Sequence, residues 1–522
     1  MLNIVLLTPC RRFIANRYAY GYQIPLGLVC LGGPLLDAGH RVRLIDNDVR
    51  GWDDERLAKE LLLDPPDCIM IGHSGPVAAH PVAMRTARAL KHHLPETTIV
   101  YGGLYATFAA DSVMRDNPSI DIVVRGEGEA TVVDLAEHLA FGGRLLDAVE
   151  GTTWRNAAGE IVANPDRPPV EDLDPYRPGW ELVQWDDYHL FGFGRGAGMQ
   201  FSRGCPRRCT YCGQWRFWHR WRHRSAESFV DQLEILTRKY GVHIVWIADE
   251  NFAAERGPAH EVLELIVERK LDLSLNLNMT AAEVVRDRDL LPLYKQAGVD
   301  NIFLGIESLD DATVAKVGKD NPLEISKRAV VALRENNIVG LVNVIYGLQE
   351  ERPSTLWKTF KRLLWLDPDV VNACHVTPYF WTTLGRWTKP EDVIQPDLSR
   401  FTIRNQVLRS HGLPPRLLFW AVKLTEALFH LRPRGIWRML FWTDNRARQI
   451  LRQYLGVGIR GTFGEILEFL FATKFVRPGK LTAVPGYPRE RQSSPTPTSD
   501  LVTLPQSAQR SVRKSRQICN AP

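Results

Sequence analysis

Short β-branched runs alternate with stretches of helical spacing twice along this chain. In the first block, 3–8, 41–46, 68–74, 98–103 and 121–125 read as strands, with helical patterns such as 26–38 and 77–93 between them. Alternation of this kind predicts a parallel sheet wrapped by helices on both faces, because each right-handed crossover needs a helix to return the chain. Ligands of such sheets sit beyond the carboxyl ends of the strands. The loops there are Thr8-Pro9, Gly72 to Pro76, Gly102-Gly103 and Arg125-Gly126-Glu127-Gly128-Glu129. Their small residues let backbone approach a bulky ligand.

Residues 151–188 turn rich in Pro, Asp and Gly and predict a linker with a small hairpin. The alternation then resumes. Strands are expected at 198–203, 243–249, 273–279, 301–307, 340–347 and 370–377, with helices near 226–239, 259–270, 281–297, 323–336 and 354–366. Six βα units predict a partial barrel with its chemistry at the C-terminal strand ends. After Trp387 the pattern is helical, through 417–431, 436–442, 447–455 and 462–474, with Arg and Lys set among Trp, Phe and Leu. These helices read as a cap on the barrel, with peripheral membrane contact as the other reading. From Gly486, Ser, Pro, Thr and Gln dominate and predict a disordered tail. The expected fold class is therefore α/β: a doubly wound sheet over 1–150, a linker over 151–197, a partial (β/α)6 barrel over 198–387, a helical region over 388–485 and a tail over 486–522.

Composition narrows the function. Of 522 residues, 45% are hydrophobic and 24% charged, which fits an ordinary globular chain and excludes wholesale disorder. A net charge of +5 is too thin for a dedicated nucleic-acid binder, so no nucleic-acid partner is expected. No run reaches the roughly 18 apolar residues of a membrane span, and the first residues lack a signal-peptide pattern. A cytoplasmic location is the expectation. Eight Cys are too few for a disulfide scaffold of this size.

Three of them decide the reading. Cys205, Cys209 and Cys212 stand at C-x3-C-x2-C just past a predicted strand, at the barrel mouth. Three thiolates at this spacing hold zinc or an iron–sulfur cluster, and a [4Fe–4S] cluster with three Cys keeps one iron open. In the zinc reading Cys209, Cys212, His219 and His223 form the site, but the gap between the pairs is much shorter than in a zinc finger and Cys205 is left unexplained.

This spacing, with Tyr211 before the last Cys, resembles the signature of the radical S-adenosylmethionine (SAM) superfamily. The resemblance implies that Cys205, Cys209 and Cys212 bind three irons of a [4Fe–4S] cluster while SAM chelates the fourth. One electron, from a donor such as flavodoxin or ferredoxin, would then release a 5′-deoxyadenosyl radical. It carries over Tyr211, Glu250, Glu307 and Ser308 as SAM-site residues, with Asn278 and Asn343 as weaker candidates. The N-terminal block resembles the cobalamin-binding domain often fused to such barrels. That implies cobalamin near Thr8, His73, Ser74, Gly75, Gly102 and Gly103; Asp-x-His-x-x-Gly is missing, so no axial ligand is named.

Within this class the chain resembles the anaerobic magnesium-protoporphyrin IX monomethyl ester oxidative cyclases, on Cys212-Gly213-Gln214-Trp215, Phe217-Trp218, Trp221 to Arg224, Ala248 to Asn251 and Val376 to Thr382. The resemblance implies a magnesium-tetrapyrrole substrate whose fifth ring is closed by oxidation, with water supplying the oxygen, in bacteriochlorophyll synthesis. Either Trp215, Trp218 and Trp221 stack on the macrocycle while Arg216, Arg220, Arg222 or Arg224 pair with its propionates, or this stretch packs the cluster loop against the barrel. Catalytic residues stay unassigned, since packed structural roles serve His375 and Tyr379 equally well. The alternatives are a cobalamin-dependent radical SAM C-methyltransferase and, more remotely, a cluster- or cobalamin-based sensor that never cleaves SAM.

Overall fold

The two blocks of alternation become two parallel sheets. The computed structural model describes residues 1–10, 23–73, 77–141, 146–189, 194–319, 321–442, 444–481 and 483; Ser74, Gly75 and the expected tail at 486–522 lie outside them. The first sheet holds β1 (Asn3–Thr8), β2 (Arg41–Asp46), β3 (Cys68–Ile71), β4 (Thr98–Tyr101), β5 (Ile122–Val124), β6 (Thr152–Arg155) and β7 (Ile161–Ala163). Its order is β2-β1-β3-β4-β5-β6-β7, parallel through β5 and antiparallel after it. The order reverses between β1 and β3, so a crevice opens there, where flavodoxin-like sheets receive ligands. The hairpin anticipated after position 150 forms β6 and β7 and extends this sheet rather than standing apart from it.

The second sheet runs β8 (Gly196–Met199), β11 (Ile244–Ile247), β12 (Ser274–Met279), β13 (Val299–Glu307), β14 (Val339–Tyr346) and β15 (Val370–His375), all parallel and in sequence order. Between β8 and β11, β9 (Ser202–Arg203) and β10 (Arg222–His223) make a short antiparallel ladder. Alternating residues such as Val245, Ile247, Leu275, Leu277, Ile302 and Leu304 pack under the flanking helices with Phe229, Leu233, Val262 and Leu263. The segment read as a linker helps bind the two sheets. Trp180 and Trp185 are buried in the barrel core beside Val29 of the first block, and the Tyr188 hydroxyl donates to Asp46 at 2.9 Å.

Three elements depart from expectation. The strand anticipated at 198–203 is split, because the Asp249 carboxylate takes the backbone N–H groups of Phe201 and Ser202 at 2.9 Å each and ends the ladder. The helix anticipated at 281–297 breaks into Ala281–Arg286, a 3-10 turn and Leu291–Gln296. Pro292 lacks an N–H and fits only in a first turn, so it starts a new helix. The two helices anticipated at 447–455 and 462–474 are one, Asn445–Phe471, which runs through buried Gly461 and Gly464.

Candidate functional site

Cys205, Cys209 and Cys212 lie on the loop between β9 and the short helix Gln214–Trp218. The strand-end residues of β11 hold the approach to that loop. Asp249 accepts from Ser202 Oγ at 2.6 Å as well as from two backbone amides, and the Glu250 carboxylate accepts the Gly204 N–H at 3.2 Å. Burial pushes Asp249 up to about 8, and it raises Glu250 as well. Glu250 also takes the Trp218 indole N–H at 2.9 Å.

The thiols are near enough to repel one another as anions. Burial pushes Cys205 up to about 11 and Cys212 up to about 12, and charge on Cys209 raises both further. Backbone N–H groups of Arg207 and Gln214 work the other way by hydrogen-bonding to Cys205 and Cys212. Burial also raises Cys209, against the cations of Lys319 and Arg207. Three soft donors, amides aimed at sulfur and nearby cations are what an anionic iron–sulfur cluster requires of its surroundings. The residues fit the group.

Beside Cys209, β13 ends on Glu307, whose φ of +66° is rare for a side-chain-bearing residue. The β13–β14 register shifts between Gly305 and Glu307, which turns the carboxylate toward Lys319, 2.7 Å from Oε1. Burial opposes the Lys319 charge, yet Glu307 and Cys209 hold the ammonium above its ordinary value. A Cβ at Gly305 would fall 2.6 Å from Lys319 Nζ and 2.8 Å from Glu307 Oε1, so a side chain there would push the tips of the pair aside. Tyr211 hydrogen-bonds Glu307, and burial raises its hydroxyl well above normal. Ser308 is buried and its Oγ accepts the Asp310 N–H at 3.2 Å in a turn. Asn278 donates to the Asp249 carbonyl at 2.8 Å, and Asn343 accepts from Asn372 at 2.7 Å.

The aromatic and basic stretch follows the packing reading more than the stacking one. Trp215 donates to the Cys209 carbonyl at 3.2 Å with Arg216 over its ring at 4.5 Å, and Trp221 donates to Ser202 Oγ at 3.0 Å. Arg222 and Arg224 do not reach outward for propionates. They are buried, Arg222 on Glu127 at 2.7 Å and Arg224 on the carbonyls of Leu173 and Tyr176. Arg220 pairs with Glu171. His375 is buried, and burial drives its imidazole down to about 4; Tyr379 stacks on Trp381, which stacks in turn on Phe108 of the first block.

Facing the cluster loop is a cavity of about 360 Å³ between the two sheet edges. Gly72, His73, Gly102, Gly103, Gly126 and Gly128 line it from the first sheet, and Gly196, Gly198, Trp246 and Ala248 from the barrel. Gly103 and Gly126 have φ of +103° and +73°, and a Cβ on either would meet no protein atom within 4 Å. An apolar chamber floored by bare backbone beyond the carboxyl ends of β3, β4 and β5 fits a large planar cofactor such as a corrinoid. Of the expected cobalamin residues, His73, Gly102 and Gly103 line the chamber, while Thr8 is buried at the end of β1 without lining it. His73 Nε2 is 2.8 Å from the Tyr101 hydroxyl. Phe217 and Trp218 close the wall nearest the thiols.

Residues 14–136 match the model for the B12 binding domain, and residues 199–363 match that of the radical SAM superfamily. An anaerobic magnesium-protoporphyrin IX monomethyl ester cyclase of Synechocystis sp. is 35% identical over 95% of this chain and 99% of its own length. The chain belongs to the radical SAM enzymes that carry a cobalamin-binding domain. Their cofactors are its cofactors: a [4Fe–4S] cluster, SAM and cobalamin. A hopanoid C-3 methylase of Methylococcus capsulatus is 28% identical over 78% of this chain and 76% of its own. The structure of a radical SAM methyltransferase from Kitasatospora setae, with cobalamin and [4Fe–4S] cluster bound, shares the fold at a TM-score of 0.68 and 16% identity, covering 90% of this chain and all of that one.

Several residues at this radical SAM site escaped the sequence reading. Lys319 comes twelve positions after its partner in an unremarkable loop, and nothing in the pattern flags it. Arg203 ends a short strand just before the Cys run, and the motif spacing does not single it out. It pairs with Glu127 at 2.6 Å and with Glu129, and it lies over the Trp218 ring at 5.1 Å. Burial acts against the Glu129 charge, but Arg203 holds that carboxyl below its usual range. The RGEGE run was the available signal for this network.

Proposed function

We propose that this enzyme is an oxygen-independent oxidative cyclase that closes the isocyclic ring of magnesium-protoporphyrin IX monomethyl ester to give divinylprotochlorophyllide. The observation that carries the reading is the Synechocystis match, which extends through the helical cap as well as both cofactor domains. In this reading Cys205, Cys209 and Cys212 hold the cluster. Glu250, Glu307, Ser308 and Tyr211 border the SAM site, and His73, Gly102, Gly103, Gly126 and Gly128 floor the cobalamin chamber. When bound, these groups supply a hydrogen-abstracting deoxyadenosyl radical and a corrinoid redox centre beside it.

The chain's own residues set the conditions for that chemistry. Trp218 is the wall common to both sites, since it lines the chamber and donates to Glu250. Lys319 fixes Glu307 against the thiol loop, and the stack of half-buried Phe108 and Tyr379 on buried Trp381 joins the first block to the barrel. The electron enters from a low-potential flavodoxin or ferredoxin.

A C-methyltransferase reading draws on the Methylococcus relative and on the Kitasatospora fold. Reduced, reconstituted enzyme given the magnesium porphyrin ester and SAM separates the two. The cyclase yields a closed ring with methionine and 5′-deoxyadenosine. S-adenosylhomocysteine with a gain of one methyl group would replace that reading by the other, and absence of deoxyadenosine under strong reductant would overturn both.

A further inference from the structure

The helical cap buries one side and leaves the other covered by large apolar side chains. On the helix Pro415–His430 and its last turn, Leu417, Trp420, Leu424, Leu428 and Leu431 are 43 to 61% exposed. Steps of three and four residues put all five on one helical face. The next helix, Pro433–Phe441, exposes Trp437 and Phe441, and Asn445–Phe471 exposes Ile459 and Phe463. The barrel helix Pro353–Leu366 packs against the first of these and exposes Trp357 and Trp365. An apolar surface drawn from four neighbouring helices is far more than scattered single residues require.

Charge says what covers it. Across these four helices the carboxylates are Glu426, Glu465 and Glu468 alone, and all three turn inward. Glu426 and Glu465 share Lys423 at 2.6 and 2.5 Å, and Glu468 pairs with Arg400 at 3.2 Å; their side chains are 14, 7 and 10% exposed. Lys423 and Arg438 turn inward to carboxylates, whereas Lys361, Arg416, Arg434, Arg452 and Arg460 are exposed. The outer face thus combines leucine and tryptophan with positive charge only. A second copy of the chain is a poor occupant, because a two-fold contact would set this cationic patch against itself. Tryptophan bordering an apolar face with Arg and Lys around it suits the interface of an anionic bilayer, where aliphatic stems enter the acyl boundary and cations meet lipid phosphate. No helix among the described residues is long and apolar enough to cross a membrane, so the contact lies along the surface.

We propose that the outer face of the C-terminal helices seats the enzyme on the surface of an anionic lipid bilayer. The inference does not depend on which reaction the enzyme catalyses. It is tested by cosedimentation of the full-length reconstituted holoenzyme with vesicles of phosphatidylcholine alone or with about a third phosphatidylglycerol. The enzyme should bind the anionic vesicles at least about tenfold better than the neutral ones, with salt reducing the binding. Leu424→Asp combined with Leu428→Asp should cut binding about tenfold while SAM cleavage stays at the wild-type level. Should that variant lose SAM cleavage, Arg416→Glu with Arg434→Glu takes its place and should abolish the preference for phosphatidylglycerol. Equal binding to both vesicle types, variants that bind like the parent, or a concentration-dependent dimer dissolved by Leu424→Asp in a chain that ignores vesicles would each overturn the proposal.

Discussion

The two sheet edges that face each other here are built on opposite plans. The first is floored by glycine: Gly72, Gly102, Gly103, Gly126 and Gly128 present backbone to a chamber and few groups that bond. The second is crowded with donors and charges: three thiols, Asp249 bonded to Ser202, Glu250 to an indole, Glu307 to Lys319 and a second indole to the Cys209 carbonyl. A large rigid cofactor is recognised by shape, so its edge is made by leaving side chains out. A metal cluster and a charged sulfonium are held by bonds, so that edge is made by putting side chains in.

If that contrast is right, each edge fails in its own way. Cys209→Ala should abolish the brown cluster absorbance and all SAM cleavage, yet leave cobalamin bound; a variant that keeps both cluster and cleavage would remove the assignment of this edge. Gly102→Val puts a branched side chain at a position where a Cβ meets only Val124 at 3.7 Å. It should lower bound cobalamin, read by its visible spectrum, by about a hundredfold at unchanged iron content, since filling a shaped chamber costs several kcal/mol. Lys319→Met strands a buried carboxylate, at a cost of about 3–5 kcal/mol. The melting temperature should fall and the Kd for SAM should rise, while cobalamin content holds.

Acid should trouble both edges alike. Burial drives His80, behind the first edge, down to about 3 and His375, at the end of β15, down to about 4, from an ordinary 6.5. Both are neutral when folded, whereas the unfolded chain protonates them below about 6.5. Stability is therefore present at neutral pH and is lost as pH falls from about 6.5 toward 4, on the order of 3 kcal/mol for His375. Melting curves across this range should show it, and His375→Gln should flatten the slope; a slope unchanged in both His→Gln variants would contradict the burial argument. The smallest effect is expected of Trp218→Phe, which keeps the ring and deletes the N–H to Glu250. Losing one hydrogen bond to a charged group should weaken SAM binding by about tenfold.

The donor-rich edge was also the legible one. C-x3-C-x2-C needs neighbouring positions in one loop, so sequence spacing transmits it directly. The glycine edge is assembled by strand order, and periodicity does not say that β3 pairs with β1 on the side away from β2. Hence His73, Gly102 and Gly103 came from the loop pattern, whereas the barrel's contribution through Gly196 and Gly198 did not. Lys319 was invisible because its meaning comes from a bulge at Gly305 and a left-handed Glu307. The partners of the arginines were hidden for a related reason. Arg222 and Arg224 stand in a stretch of aromatic and basic residues, and only the fold brings Glu127 and the Leu173 and Tyr176 carbonyls onto them. In the cap, the pattern reads as two helices with a gap between 455 and 462, yet tertiary packing carries one helix through.

The Gly305 contact reaches into how this sequence is free to drift. A methyl group at 305 would crowd the amine of 319 and the carboxylate of 307, so the tips of both must swing aside to admit it. A lineage that acquires alanine at 305 should therefore tolerate it better once 319 is shortened.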